Sequence, residues 1–155
     1  MGAFGRAFGR AFGRAGFVVF HEVQCRKDRV GRVDLLALKP DESACVALEA
    51  KRLYNGAQAA ALVRDWDRLG ITRLACEYGA PRAANRYRMV IATSWQKTVR
   101  DWWCGTGLPA GWAPPPWREA GCYADCQHLQ TDRRWGWGDQ WLLYAFGWRV
   151  GSYFE

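Results

Sequence analysis

Acidic and basic side chains that could act together lie at the ends of two neighbouring apolar segments. Asp34 begins one segment, and Glu49-Ala50-Lys51 ends the next, after a short turn. Two carboxylates are hard oxygen ligands for a divalent cation such as Mg²⁺, which takes one or two of them together with waters and substrate phosphate. A lysine beside such a cation can orient an attacking water and offset charge that builds on a phosphate oxygen. This set of residues suits phosphodiester hydrolysis.

The distance between these groups depends on how the two segments pair. A turn at residues 39–43 would pair Leu38 with Ala44. Asp34 then lies opposite Leu48 and beside Glu49, whereas a shift of one residue places Asp34 opposite Glu49. Neighbouring cross-strand side chains lie roughly 5–8 Å apart, so both registers bring the two carboxylates together.

Strand geometry also determines which side chains share a face. Side chains alternate along a strand, so Glu49 and Lys51 project to one face while Leu48 and Ala50 point into the other layer. The pattern therefore predicts one face that gathers an aspartate, a glutamate and a lysine.

Regular elements must hold these residues in place. Short apolar segments predict strands at Phe17–Val23, Val33–Leu38, Ala44–Ala50 and Tyr87–Thr93. Apolar residues at helical spacing predict a helix at Ala57–Leu69, ended by Gly70, on which Arg64, Asp65 and Arg68 face away from the core. A second helix is predicted at Gln96–Trp103. The order βββαβα indicates an α/β fold, a mixed sheet with helices on it.

The two acidic segments resemble the PD-(D/E)XK nuclease superfamily. The resemblance rests on residues 31–38, which read GRVDLLAL, and on residues 46–51, which read VALEAK, and it covers about residues 17–95. It implies a restriction-endonuclease-like mixed central sheet flanked by helices, and DNA cleavage with Mg²⁺, for which Mn²⁺ can substitute. The proline that names the motif is absent before Asp34, which is a departure from the family pattern.

The same resemblance implies roles for individual residues. Asp34 and Glu49 would bind the metal with the Ala50 carbonyl, and Lys51 would serve the water. Members of the superfamily often have an upstream glutamate and a glutamine in the following helix. Glu22 and Gln58 match these positions and would assist catalysis. The basic residues expected to contact nucleic acid are Arg32, Arg52 and Arg64.

Composition and charge are compatible with a polyanion-binding globular protein. The chain has 155 residues and a formal charge of +7, and the excess of basic residues lies within residues 1–103. The longest apolar runs, Gly16–Phe20 and Trp141–Phe146, are too short to span a membrane. Arginines interrupt the first residues, so we expect no secretory signal and a cytoplasmic location.

Three domain segments are expected. Residues 1–15 hold a tandem AFGR repeat whose spacing would place Phe4, Phe8 and Phe12 on one helical stripe, although three glycines weaken such a helix. The segment is expected to be either a flexible or frayed low-complexity leader or a basic arm on a phosphate backbone. Residues 16–103 form the nuclease-like core. Residues 104–155 are rich in glycine, proline and tryptophan, and we expect an irregular Trp-rich C-terminal cap or edge strands packed on the core.

The tryptophans and cysteines leave alternatives open. Trp66 and Trp95 are expected to be packing residues, whereas the tryptophans that could stack on unpaired bases, beside Arg133 and Arg134, are Trp135, Trp137 and Trp141. The four residues that could either bind zinc or be ordinary loop residues are Cys104, Cys122, Cys126 and His128.

Two other classes of function compete with a nuclease. One is a catalytically inactive module or inhibitor that keeps the fold and binds nucleic acid. The other is a tryptophan-rich domain that binds sugars or proteins. The form of the nucleic acid and the oligomeric state are both open. Cutting both strands of a duplex needs two active sites, and one chain offers one, so a homodimer is one of the open alternatives.

Overall fold

A computed structural model describes residues 3–24, 31–41, 43–71, 85–129 and 139–148 of the chain. Its strands are β1 Val18–Gln24, β2 Arg32–Leu38, β3 Ala44–Arg52, β4 Asn85–Ser94, β5 Cys122–Leu129 and β6 Gln140–Trp148, and its helices are α1 Ala3–Arg14, α2 Gly56–Ile71 and α3 Lys97–Cys104. The predicted strands and helices from Phe17 to Trp103 are confirmed, with ends shifted by one or two residues. Gly70 does not end α2, which continues to Ile71.

The strands form one six-stranded mixed sheet in the order β1-β2-β3-β4-β6-β5. β3 and β4 pair in parallel, and the other neighbouring pairs are antiparallel. Parallel neighbours need a crossover connection, and α2 lies within the connection from β3 to β4. Within the described part of the chain, no helix is long and apolar enough to cross a membrane.

Each face of the sheet carries its own apolar cluster. On the side covered by α2, buried residues of β2, β3 and β4 pack against helix residues such as Leu62, Trp66 and Leu69. On the opposite side, Leu35 and Leu48 pack with residues of α1. Because the sheet is covered on both sides, its central strands read as nearly continuous apolar runs.

The AFGR repeat forms helix α1, so residues 3–14 are not an irregular leader in this structure. Phe8 and Phe12 pack against the cluster on the α1 side of the sheet. A Cβ at Gly9 would lie 3.0 Å from the ring of His21 on β1, whereas a Cβ at Gly13 would meet nothing within 4 Å. One glycine of the repeat therefore permits close approach to the sheet, and burial of the phenylalanines offsets the poor helix propensity of the sequence.

The C-terminal part of the chain contributes to the same sheet. β6 lies between β4 and β5, so this part is more regular than the irregular alternative expected from its composition. Trp117, on a 3-10 turn at Pro116–Arg118, contacts Trp103 at a ring-centroid distance of 4.3 Å and Trp66 at 5.7 Å. All three side chains are buried, and they form a tryptophan cluster beneath α2 and α3.

Candidate active site

Asp34 and Glu49 lie side by side across the β2–β3 pair. Leu35 pairs with Leu48 and Leu38 with Cys45, and this register, continued by one residue, places Asp34 opposite Glu49. It is the shifted register of the two that the sequence left open. Oδ2 of Asp34 accepts a hydrogen bond of 2.8 Å from the Ala50 N–H, and the Asp34 carboxylate is near enough to Glu49 to add to the rise in the pKa of that carboxyl, whose largest cause is burial.

Helix α2 supplies a cation to this carboxylate pair. Nη2 of Arg68 donates to Oε1 of Glu49 at 2.5 Å and to Oδ1 of Asp65 at 3.1 Å. Nη1 of the same guanidinium donates to the Arg32 carbonyl at 3.0 Å. Arg68 thus ties α2 to both β2 and β3, because its planar fork can serve several acceptors at once.

Lys51 is joined to the same network through Asp65. Nζ of Lys51 is 2.6 Å from Oδ2 of Asp65, and the two groups form an ion pair. Among the described residues, no donor makes a hydrogen bond of good geometry to this oxygen. Lys51 and Glu49 both contact α2, as expected for two side chains on one face of β3. The result is a continuous chain of three carboxyl groups and two cations, in the order Asp34, Glu49, Arg68, Asp65, Lys51.

Glu49 is the buried member of the network, with 4% of its surface exposed. Burial, chiefly, and the neighbouring Asp34 carboxylate raise the pKa of Glu49 to about 8, against the opposing effect of the Arg68 guanidinium. Conversely, the Glu49 and Asp65 carboxylates raise the pKa of Arg68, although burial of the guanidinium opposes this. A second negative charge is therefore costly beside Asp34 unless a further cation is present.

Glu22 lies next to this site, at an irregularity of β1. It has a φ of 52°, a left-handed conformation that is uncommon for residues other than glycine. At the same level of β2, the alternation of faces is interrupted, since Val33 packs on the α2 side and Leu35 on the α1 side. Irregularities of this kind re-aim side chains. The Glu22 carboxylate, an expected assistant of catalysis, is 3.3 Å from Nη1 of Arg32.

Gln58, the second expected assistant, caps the start of α2. Its N–H donates to Oδ1 of Asn55 at 3.0 Å, and its Oε1 accepts from the N–H of Tyr54 at 2.8 Å. This exchange of bonds resembles a capping box, in which side chains satisfy the free N–H groups at a helix start. The side chain of Gln58 therefore fixes the chain between β3 and α2.

The three arginines expected to contact nucleic acid lie on different elements. Arg32 begins β2, Arg52 ends β3, and Arg64 lies on α2; all three are exposed. Arg64 faces away from the core, as predicted. The same prediction was wrong for Asp65 and Arg68, because α2 packs with both side chains in contact with charged residues of β3.

The proposed zinc ligands do not form one cluster. Cys104 at the end of α3 and Cys126 on β5 are in contact, with 3.1 Å between their sulfur atoms. Nε2 of His128 instead pairs with Asp139 at 3.0 Å, and Cys122 packs against the apolar cluster on the α2 side. Among the described residues, no group of three or more His, Cys, Asp or Glu side chains is arranged to hold a metal.

The tryptophans also depart in part from expectation. Trp66 is 1% exposed, which confirms a packing role, but Trp95 is 41% exposed. Trp141 lies under the Arg100 guanidinium, which is 5.4 Å from its ring centroid. Trp135 and Trp137, with Arg133 and Arg134, lie outside the described residues. Only the position of Trp95 directly after a strand could have indicated its exposure.

Fold and site together define a mixed α/β protein with a charged network at the carboxyl end of β3. Comparison of the chain with family models, with curated proteins and with solved structures finds no match.

Proposed function

We propose that this protein is a metal-dependent endonuclease that hydrolyses phosphodiester bonds in DNA, on a restriction-endonuclease-like fold. The observation that carries the proposal is the pairing of Asp34 with Glu49 across β2 and β3, with Lys51 two residues further on the same face. The order of β1, β2 and β3, followed by α2 and by β4 parallel to β3, supports the fold.

The residues present fit a hard divalent cation. Mg²⁺ takes one or two carboxylates and completes its shell with water and phosphate, so Asp34 and Glu49 suffice as protein ligands. Burial, chiefly, and the neighbouring Asp34 carboxylate raise the pKa of Glu49, and a bound cation would oppose both effects by favouring the ionised carboxylate. When bound, the cation would supply positive charge against the phosphate and lower the pKa of a water.

The chain's own residues position the reactants. Asp34 is oriented by the Ala50 N–H, and Arg68 holds one oxygen of Glu49. The Lys51 ammonium, held by Asp65, orients the attacking water and offsets charge on the phosphate oxygens. Water attacks phosphorus, the bond to the leaving oxygen breaks, and that oxygen ends with the proton that water loses. The exposed arginines Arg32, Arg52 and Arg64 would contact the phosphate backbone.

The test compares substrates, metals and variants. Plasmid, linear duplex, single-stranded DNA and RNA are incubated with Mg²⁺, Mn²⁺ or EDTA. We expect cleavage of DNA that requires metal and that falls at least about a hundredfold in Lys51→Ala and Asp34→Ala. Lys39→Ala is the matched control, since Lys39 lies in the turn before β3, whereas the candidate site is at the end of that strand. Unchanged cleavage in both site variants would overturn the proposal.

One observation favours a second candidate, the inactive nucleic-acid-binding module. With Glu49 protonated, as its raised pKa favours, the carboxylates of Asp34 and Asp65 are matched by the two cations, Arg68 and Lys51, without a metal. This candidate expects salt-sensitive DNA binding that is the same in Mg²⁺ and EDTA and is unaffected by Asp34→Ala. Metal-dependent cleavage lost in Lys51→Ala would eliminate it.

A further inference from the structure

Two large aromatic side chains stack on each other at the surface, directly after β3 and β4. The rings of Tyr54 and Trp95 have centroids 5.8 Å apart and planes at 12°. Tyr54 is 46% exposed and Trp95 41% exposed. The tryptophan cluster under α2 shows where this chain buries such rings, and the Tyr54–Trp95 pair is outside it.

The pair lies at the same end of β3 as the candidate active site. β3 and β4 are parallel, with Arg52 paired to Thr93, and Tyr54 and Trp95 each follow two residues later. Tyr54 is three residues beyond Lys51, which is roughly 10 Å of extended chain. In sheets with parallel strands, ligands bind beyond the carboxyl ends of those strands. A nucleotide chain with one phosphate at Lys51 can therefore place a neighbouring base at the aromatic pair.

Hydrogen bonds fix the backbone segments that carry the two rings. The N–H of Leu53 donates to the Thr93 carbonyl at 2.8 Å, and the N–H of Tyr54 donates to Oε1 of Gln58 at 2.8 Å. On the other strand, the N–H of Gln96 donates to Oγ of Ser94 at 3.0 Å. The segments carrying both rings are therefore tied to the sheet and to α2, which reduces the entropy lost when a ligand binds.

The charge beside the rings selects the class of ligand. Arg52, two residues before Tyr54, and Lys97, two residues after Trp95, are both exposed. Flat π-surfaces next to cations match a chain of bases and phosphates, since every base has a face that can stack and every linkage is negative. We propose that Tyr54 and Trp95 form a stacking platform for an unpaired nucleobase of a strand that enters the Asp34–Glu49–Lys51 site. This inference rests on the proposed function.

The platform requires an unpaired base, because bases inside a duplex are already stacked on both faces. Substrates with a single-stranded segment should thus bind better than blunt duplexes. The test measures fluorescence anisotropy of a labelled oligothymidine and of a blunt duplex in EDTA. The platform variants are Tyr54→Leu and Trp95→Leu. The matched controls are Tyr123→Leu and Trp148→Leu, which replace exposed aromatic residues of β5 and β6.

We expect each platform variant to raise the Kd for the single strand by about fivefold to a hundredfold, with the duplex Kd changed less than about twofold. The controls should change neither, and thermal melts verify that all variants fold. The platform would be overturned if the platform variants weakened binding of single strand and duplex equally, or if the control variants weakened binding as much. It would also be overturned if the unmodified protein did not bind DNA, or bound a neutral oligosaccharide in its place.

Because this assay contains EDTA, it is independent of catalysis. If Lys51→Ala abolishes cleavage but the platform variants do not selectively weaken single-strand binding, the nuclease proposal stands and the platform is refuted. If the platform variants selectively weaken single-strand binding but the unmodified protein shows no metal-dependent cleavage, the nuclease proposal is refuted and the platform stands as part of a binding module.

Discussion

Arg68 on α2 donates to Glu49 on β3 at 2.5 Å, and this contact joins the helix to the carboxylate pair at the end of the sheet. The same guanidinium reaches Asp65 and the Arg32 carbonyl. A single side chain thereby links two strands and a helix. The helix that packs the core also controls the charge of the candidate site.

Replacing Arg68 should destabilise the fold. Arg68→Ala removes the hydrogen bonds of the guanidinium to Glu49, Asp65 and the Arg32 carbonyl, and loss of charged hydrogen bonds that are largely buried costs about 2 kcal/mol once partial exposure is considered. Urea unfolding of Arg68→Ala should show this loss, and Arg64→Ala, an exposed arginine of the same helix, should change stability by less than about 0.5 kcal/mol. Equal effects of the two substitutions would contradict a special role for Arg68.

Glu49 should make stability fall as pH rises. Its pKa is raised from 4.5 to about 8 in the folded state, so between these values the native protein holds a proton that the unfolded chain has released. The contribution of this group to the unfolding free energy is therefore full below about pH 4.5 and is lost as pH rises through about 8, at up to about 1.4 kcal/mol per pH unit.

The variant Glu49→Gln isolates this effect, because its amide cannot ionise. In metal-free buffer, the stability of Glu49→Gln relative to the unmodified protein should increase from pH 5 to pH 8, as measured by urea unfolding at about three pH values in that window. Parallel pH profiles for the two proteins would show that Glu49 titrates normally.

The glycines of α1 should respond differently to alanine. Gly13→Ala meets no atom within 4 Å and should stabilise the protein by up to about 1 kcal/mol through helix propensity. Gly9→Ala places a Cβ 3.0 Å from the His21 ring, so crowding should cancel this gain or reverse it. Thermal melts of the two variants test the packing of α1, since a helix that did not contact the sheet would be stabilised by both.

Cys104 should react slowly with alkylating reagents. Burial, chiefly, and the contact with Cys126 raise the pKa of the Cys104 thiol to about 12, and the thiolate is the reactive form. At pH 8, iodoacetamide should alkylate Cys104 at least about tenfold more slowly in the folded protein than in the protein unfolded by urea. Peptide mass spectrometry gives the rate, which should increase in Cys126→Ala but not in Cys45→Ala. A Cys104 rate equal in folded and unfolded protein would refute the buried pair.

Local patterns in the sequence predicted much of the site. Short, nearly continuous apolar segments identified β2 and β3, and the period of two along a strand placed Glu49 and Lys51 on one face. The short turn required the two strands to pair, which brought Asp34 near Glu49 in either register. These features depend on residues within about 20 positions of one another, so sequence spacing alone determines them.

Tertiary packing decided the partners of those residues. The choice of register depends on how two complete strands fit, and the contacts of Asp65 and Arg68 depend on how α2 packs against β3. A helical pattern identifies the apolar stripe, but polar residues at its margin meet either water or another element. The spacing of Phe8 and Phe12 marks an apolar face of α1, but the part of the sheet on which this face packs depends on contacts between segments distant in sequence, and so does the exposed position of Trp95.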